Sequence, residues 1–163
     1  MRLFSRGKAW GRSKSQRKTL TRQILPCIAL YRALTGSGFS QGAAYAAVQQ
    51  YMQEVVAAKQ HVSMVRMERV PGFYFLYSRI FRRVMRTADQ WESTQKHDKD
   101  SFDITIRRCL WHTACTENGC PELCRLFCEA DNGTYGGLIK IGFARTTTLG
   151  CGGDCCDFHF YRK

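Results

Sequence analysis

The sequence predicts an α+β domain in which N-terminal helices pack on a small C-terminal antiparallel sheet with one inserted helix. Three observations predict it. Apolar residues recur at helical spacing through the first half of the chain, the period falls to two after Ser101, and a turn, Gly150-Cys151-Gly152-Gly153, joins two alternating segments near the C-terminus. With 163 residues, 44% of them hydrophobic, the chain is sized for one domain that buries roughly two-thirds of its unfolded surface. A single domain is therefore expected over residues 19–163, behind a basic flexible lead-in at residues 1–18.

Leu20, Ile24, Leu25, Ile28, Tyr31 and Leu34 place a first helix at residues 19–34, and Gly36 and Gly38 end it. Ser40 is a suitable N-cap for a second helix, with Ala44, Val48, Tyr51, Met52 and Val55 on one face and an end near His61. Pro71 opens a third. In it Phe73, Phe75, Leu76, Tyr77, Ile80, Phe81, Val84 and Met85 interleave with Arg79, Arg82, Arg83 and Arg86, the pattern of a core helix with a basic outer face. Arginines opposite aromatics also suit a membrane interface.

Residues 88–101 are polar and read as a linker or helix end. Phe102, Ile104 and Ile106 then alternate with polar residues as in a half-buried strand. Beyond Arg108 the apolar parity shifts to Cys109 and Trp111, which predicts a bulge or a change of environment, with His112 just past it. Pro121 opens a short helix at residues 122–130, stopped by Asn132-Gly133. Two strands follow, at residues 138–149 and 155–162. In the first, Ile139, Ile141, Phe143, Arg145 and Thr147 share a face. In the second, Cys156, Phe158 and Phe160 oppose Asp157, His159 and Tyr161.

Charge is uneven: of a net +12, the first ninety residues hold 16 Lys and Arg against Glu54, Glu68 and Asp89. A basic half attracts nucleic acid or anionic lipid. The glycine-aromatic signature of an RNA-binding sheet and paired zinc-finger spacings are absent, however, so no nucleic-acid partner is expected. Arg32 interrupts the best apolar run, leaving no candidate membrane span. The basic start lacks a hydrophobic core and a cleavage site, so a cytoplasmic location is expected. Nine cysteines, an odd number, then favour reduced thiols over a disulfide framework.

The residues suited to chemistry lie near the C-terminus. Cys120, Cys124, Cys128 and Asp131 fall at steps of four, four and three, one stripe of a helix. A carboxylate at a helix C-terminus opposes the macrodipole, so Asp131 calls for a cation or for solvent. Arg145, alternating with apolar residues, points toward the helices and needs an anion, either Asp131 or a ligand carboxylate. Cys155, Cys156, Asp157 and His159, with Cys124 and Cys128, give a weak zinc or iron signal: no pair of CxxC knuckles is present. No cofactor is assigned. Gly150, Gly152 and Gly153 permit positive φ or a close approach.

The segments Leu25-Pro26-Cys27-Ile28-Ala29-Leu30-Tyr31-Arg32-Ala33-Leu34, Pro71-Gly72-Phe73-Tyr74, Gly119-Cys120-Pro121-Glu122-Leu123-Cys124, Phe127-Cys128-Glu129-Ala130-Asp131, Phe143-Ala144-Arg145-Thr146-Thr147-Thr148-Leu149 and Gly152-Gly153-Asp154-Cys155-Cys156-Asp157-Phe158 together resemble the L-2-amino-thiazoline-4-carboxylic acid hydrolase family. The resemblance implies a small-molecule substrate and hydrolytic opening of a 2-amino-thiazoline ring to N-carbamoyl-L-cysteine. That chemistry needs a base, a proton donor and a carboxylate clamp. By residue type Arg145 suits the clamp, Asp131 or Asp157 the base, and His112 or Tyr135 the donor. Cys128 is an alternative nucleophile, disfavoured by a position late in a helix, which raises a thiol pKa. The rival to the enzyme is a small-molecule or metal-binding sensor domain; a pocket holding a base favours the enzyme.

Overall fold

The computed structural model describes residues 12–163, so most of the predicted lead-in lies outside the described residues. Its last part is helical. Ser13 Oγ accepts the Gln16 N–H and caps α1 (Lys14–Thr19), which starts five residues before the helix predicted from residue 19. A widened π turn (Leu20–Ile24) carries the chain into α2 (Leu25–Gly36), making one continuous rod. Pro26, with no N–H to give to the carbonyl four residues back, lies two residues past that turn.

A second rod repeats the plan. Ser40 Oγ accepts the Ala43 N–H to start α3 (Gln41–Tyr51), a second π turn follows (Met52–Ala57), and α4 (Ala58–Met67) carries the rod past the expected end near His61. Gly72, at φ +66°, then turns the chain into α5 (Phe73–Thr87).

The expected linker is in fact an edge strand, β1 (Trp91–His97). It pairs with β2 (Ser101–Cys109), and the register slips so that Arg107 has no partner, a bulge beside the predicted parity shift. The chain leaves β2 directly into α6 (Leu110–Glu117), a helix that strand periodicity does not mark, and then into α7 (Leu123–Tyr135). Two helices are thus inserted rather than one. The sheet closes with β3 (Ile141–Ala144) and β4 (Cys156–Arg162), antiparallel throughout in the order β1-β2-β4-β3. β3 is far shorter than the predicted strand, and Ile139, expected on its inner face, is exposed before it begins.

Two apolar clusters form the interior. One joins the rods to α6 and α7 through Ile24, Ile28, Val48, Cys115, Leu123 and Leu126. The other packs α5 on the sheet through Phe73, Met85, Ile104, Ile141 and a Phe102–Phe160 stack with ring centroids 4.8 Å apart. Glu68, buried at the end of the second rod, accepts the backbone N–H groups of Ile139, Lys140 and Ile141 at 3.0, 2.6 and 3.3 Å. A buried carboxylate is tolerable because three donors replace its water, and the bonds fix the entry to β3.

Candidate functional site

A cavity of about 420 Å³ lies at the seam between the two clusters, a size that suits a small molecule. Both π turns face it, through Arg22 and Gln23 on the first rod and Met52 and Val56 on the second. Widened turns of this kind recur at functional sites. Trp91 and Trp111, stacked with centroids 5.3 Å apart, form part of the wall. α7 supplies Phe127, Cys128, Asp131 and Tyr135, and β4 supplies Cys156 and Phe158.

α7 runs on to Tyr135, past the end predicted at Ala130, so Asp131 stands more than one turn inside the helix and the opposing-dipole expectation lapses. What perturbs Asp131 is burial. It lifts the carboxyl to about 7, the Arg145 guanidinium pulls it back down, and negative charge on Cys128 adds to the rise. Its side chain keeps about a third of its exposure and lines the cavity. Arg145 Nη1 reaches Asp131 Oδ2 at 3.4 Å, and its side chain is only 10% exposed. Arg145 therefore points inward as its alternation requires, but it backs the carboxylate and does not itself line the cavity.

Cys128 is the hub of a thiol cluster. Hydrogen bonds from Cys124, Cys156 and Thr148, with the Arg145 charge nearby, hold its thiol below the ordinary range against the opposing effect of burial. Cys124 and Cys156 are pushed up correspondingly, because each keeps its proton to donate it to Cys128. Mid-helix placement removes the dipole argument against this thiolate. Cys120 lies before α7 rather than on the stripe, its Sγ 3.6 Å from the Cys115 carbonyl. All nine cysteines are free thiols.

The glycine turn packs on this cluster. A Cβ on Gly150 would lie 3.0 Å from the Cys124 carbonyl carbon, the Arg125 nitrogen and Cys128 Sγ alike, so only glycine lets the turn close on α7. Gly152 takes φ +84° to complete it.

The other predicted residues divide. Tyr135 lines the cavity, its hydroxyl 2.6 Å from that of Tyr77, and burial raises the pKa of both. Asp157 lies outside the cavity, on the strand face opposite Cys156. It accepts the Thr146 and Thr147 N–H groups at 3.0 and 2.7 Å and the Thr146 hydroxyl at 2.6 Å. These bonds hold its carboxyl below the usual range despite some burial, and they identify it as a pin for the turn. His112 is on α6, outside the cavity lining; its backbone N–H, with that of Trp111, reaches Cys109. His159 pairs with Asp103 at 2.6 Å on the sheet. Among the described residues no group of three His, Cys, Asp or Glu side chains is placed to hold a metal ion.

Arg22 escaped the sequence reading. It is the one Lys or Arg among the described residues that line the cavity. Nothing separates it by pattern from the other basic residues near the start of the chain; only the packing of the rod turns it toward the cavity.

No helix among the described residues is long and apolar enough to cross a membrane. No curated protein and no solved structure matches the chain. A family model, L-2-amino-thiazoline-4-carboxylic acid hydrolase, matches residues 17–160, and with nearly its whole length covered the chain belongs to that family.

Proposed function

We propose that this protein hydrolyses 2-amino-thiazoline-4-carboxylate, or a closely related cyclic amidine, to the N-carbamoyl thiol, with Cys128 as nucleophile and Asp131 as proton shuttle. The observation that carries the reading is the presence of both groups on one face of α7 inside one cavity, the thiol surrounded by donors and the carboxyl able to hold a proton near neutral pH. A cavity with a titrating base also favours the enzyme over the sensor domain.

In the first step the Cys128 thiolate attacks the ring carbon between nitrogen and sulfur. The carbon–sulfur bond of the ring breaks, and the departing sulfur takes the proton of Asp131, leaving an isothiourea on Cys128. Water then adds to the same carbon. Its oxygen becomes the ureido carbonyl, one hydrogen passes to the former ring nitrogen and the other returns to Asp131, while the bond to Cys128 breaks and restores the thiolate. Arg145 keeps Asp131 in place and moderates its proton affinity; it is a positioning residue. Arg22 is suited to hold the substrate carboxylate, the role that Arg145 would otherwise take.

Thiol release from L-2-amino-thiazoline-4-carboxylate tests the proposal. The wild-type protein should release thiol, Cys128→Ser should not, and Arg22→Gln should raise KM more than it lowers kcat. Absence of release by the wild type would overturn the reading for this substrate.

A further inference from the structure

The outer face of α5, apart from a cation–π contact at Phe75, is left open and carries an unusual composition. Phe75, Leu76, Ile80 and Val84 are 48, 50, 53 and 45% exposed. The helix holds four arginines, of which Arg79 and Arg83 stand exposed among these apolar side chains, and it holds no acid. Across residues 66–87 the one acid is Glu68, which is buried and committed to the backbone entering β3. Of the acids in the β1–β2 turn, Asp98 is bonded to the Asp100 and Ser101 backbone N–H groups and the Ser101 hydroxyl, and Asp100 is paired with Arg162 at 2.9 Å, whose guanidinium lies over the Phe75 ring at 5.6 Å.

We infer that this face docks the protein on an anionic lipid surface. Charge complementarity and exposed apolar side chains together select that occupant. A symmetric dimer through α5 would bring its arginines against their copies with no acid between them. A nucleic acid would neutralise the arginines but give four exposed apolar side chains nothing to contact. At a membrane both needs are met: the apolar side chains enter the headgroup boundary, while the arginines extend their guanidinium groups to lipid phosphates. The cavity edge lies alongside, since Val84 also lines it. This inference is independent of the chemistry proposed for the cavity.

Co-sedimentation of the full chain with phosphatidylcholine vesicles, with and without phosphatidylglycerol, tests it. Binding should require phosphatidylglycerol and weaken with added salt. The double variant Arg79→Gln/Arg83→Gln should bind roughly 30-fold more weakly, and Leu76→Ser/Ile80→Ser should also lose binding, with both variants keeping the wild-type thermal midpoint. Arg107→Gln/Lys59→Gln, which removes the same charge from other exposed positions, should bind as wild type. Binding to neither vesicle, equal binding to both, or equal loss in the control variant would overturn the proposal. So would a dimer in light scattering that Leu76→Ser/Ile80→Ser dissolves, since the face would then belong to a second copy.

Discussion

Two aspartates near the C-terminus, Asp131 on the inner face of α7 and Asp157 at the start of β4, look alike in the sequence and differ in what surrounds them. Asp157 has three donors within 3.0 Å and a depressed pKa. Asp131 has one cation at 3.4 Å, faces the cavity and titrates at about 7. The contrast bears on reactivity: a carboxylate whose lone pairs are satisfied by backbone donors holds a structure, whereas one that is half-buried beside a cavity and incompletely paired can exchange a proton.

The largest expected effect separates the two groups by activity. Asp131→Asn should lower turnover by roughly 10² to 10⁴, whereas Asp157→Asn should leave it within a few-fold of wild type once the protein is folded. Comparable losses in both would break the distinction. Next in size, Gly150→Ala forces a Cβ against the α7 backbone and Cys128 Sγ, and should destabilise the fold by about 1 to 3 kcal/mol as for other overpacked sites. Its turnover should fall as well, because the displaced turn carries Thr148 away from Cys128. Thermal melts and thiol-release rates on the same preparation read both effects.

Stability gives the converse comparison. Asp157→Asn keeps the shape but weakens the bonds accepted by the partly exposed carboxylate. It should cost about 1 kcal/mol, a drop of roughly 2 to 4 °C in the thermal midpoint. The smallest effect is in pH dependence. Asp131 binds its proton at about 7 when folded against 3.8 for the ordinary group, so between those values the folded protein holds a proton that the unfolded chain releases. Stability should therefore increase as pH falls through about 7 toward 4, and Asp131→Asn should remove that slope. For catalysis the same proton must be present in the first step, so kcat/KM should fall as pH rises through about 7. A rise there instead would indicate that the carboxylate activates water directly.

Much of this was legible in the sequence where one periodicity dominates. The rods, α5, β2 and β4 each bury an apolar face, and the alternation through Phe143 and Arg145 correctly turned the arginine inward. β1 carries no apolar alternation because, after Trp91, its inward side chains are polar. Ser93 and Gln95 face α5 and donate to the Met85 and Arg82 carbonyls, so hydrogen bonding rather than apolar burial seats the strand. α6 was missed because it begins one residue after a strand and has little amphipathic contrast over eight residues. Of the expected residues that line the cavity, Cys128 and Asp131 follow from helical spacing and Tyr135 from residue type alone. Asp157 and His112 were included by residue type, which cannot tell a carboxylate bonded by its own turn from one facing a cavity. The end of α7 mattered most: placing it at Ala130 made Cys128 look poorly sited for a thiolate, and five further residues of helix reverse that judgement.

Mass spectrometry of acid-quenched protein mixed with L-2-amino-thiazoline-4-carboxylate reads attack by Cys128 on the substrate without relying on turnover. Because the opened ring stays attached through its carbon, an adduct equal in mass to the whole substrate should appear on the peptide containing Cys128 and be absent from Cys128→Ser. Turnover by the wild type with no adduct at any quench time, together with continued turnover by Cys128→Ser, would contradict it.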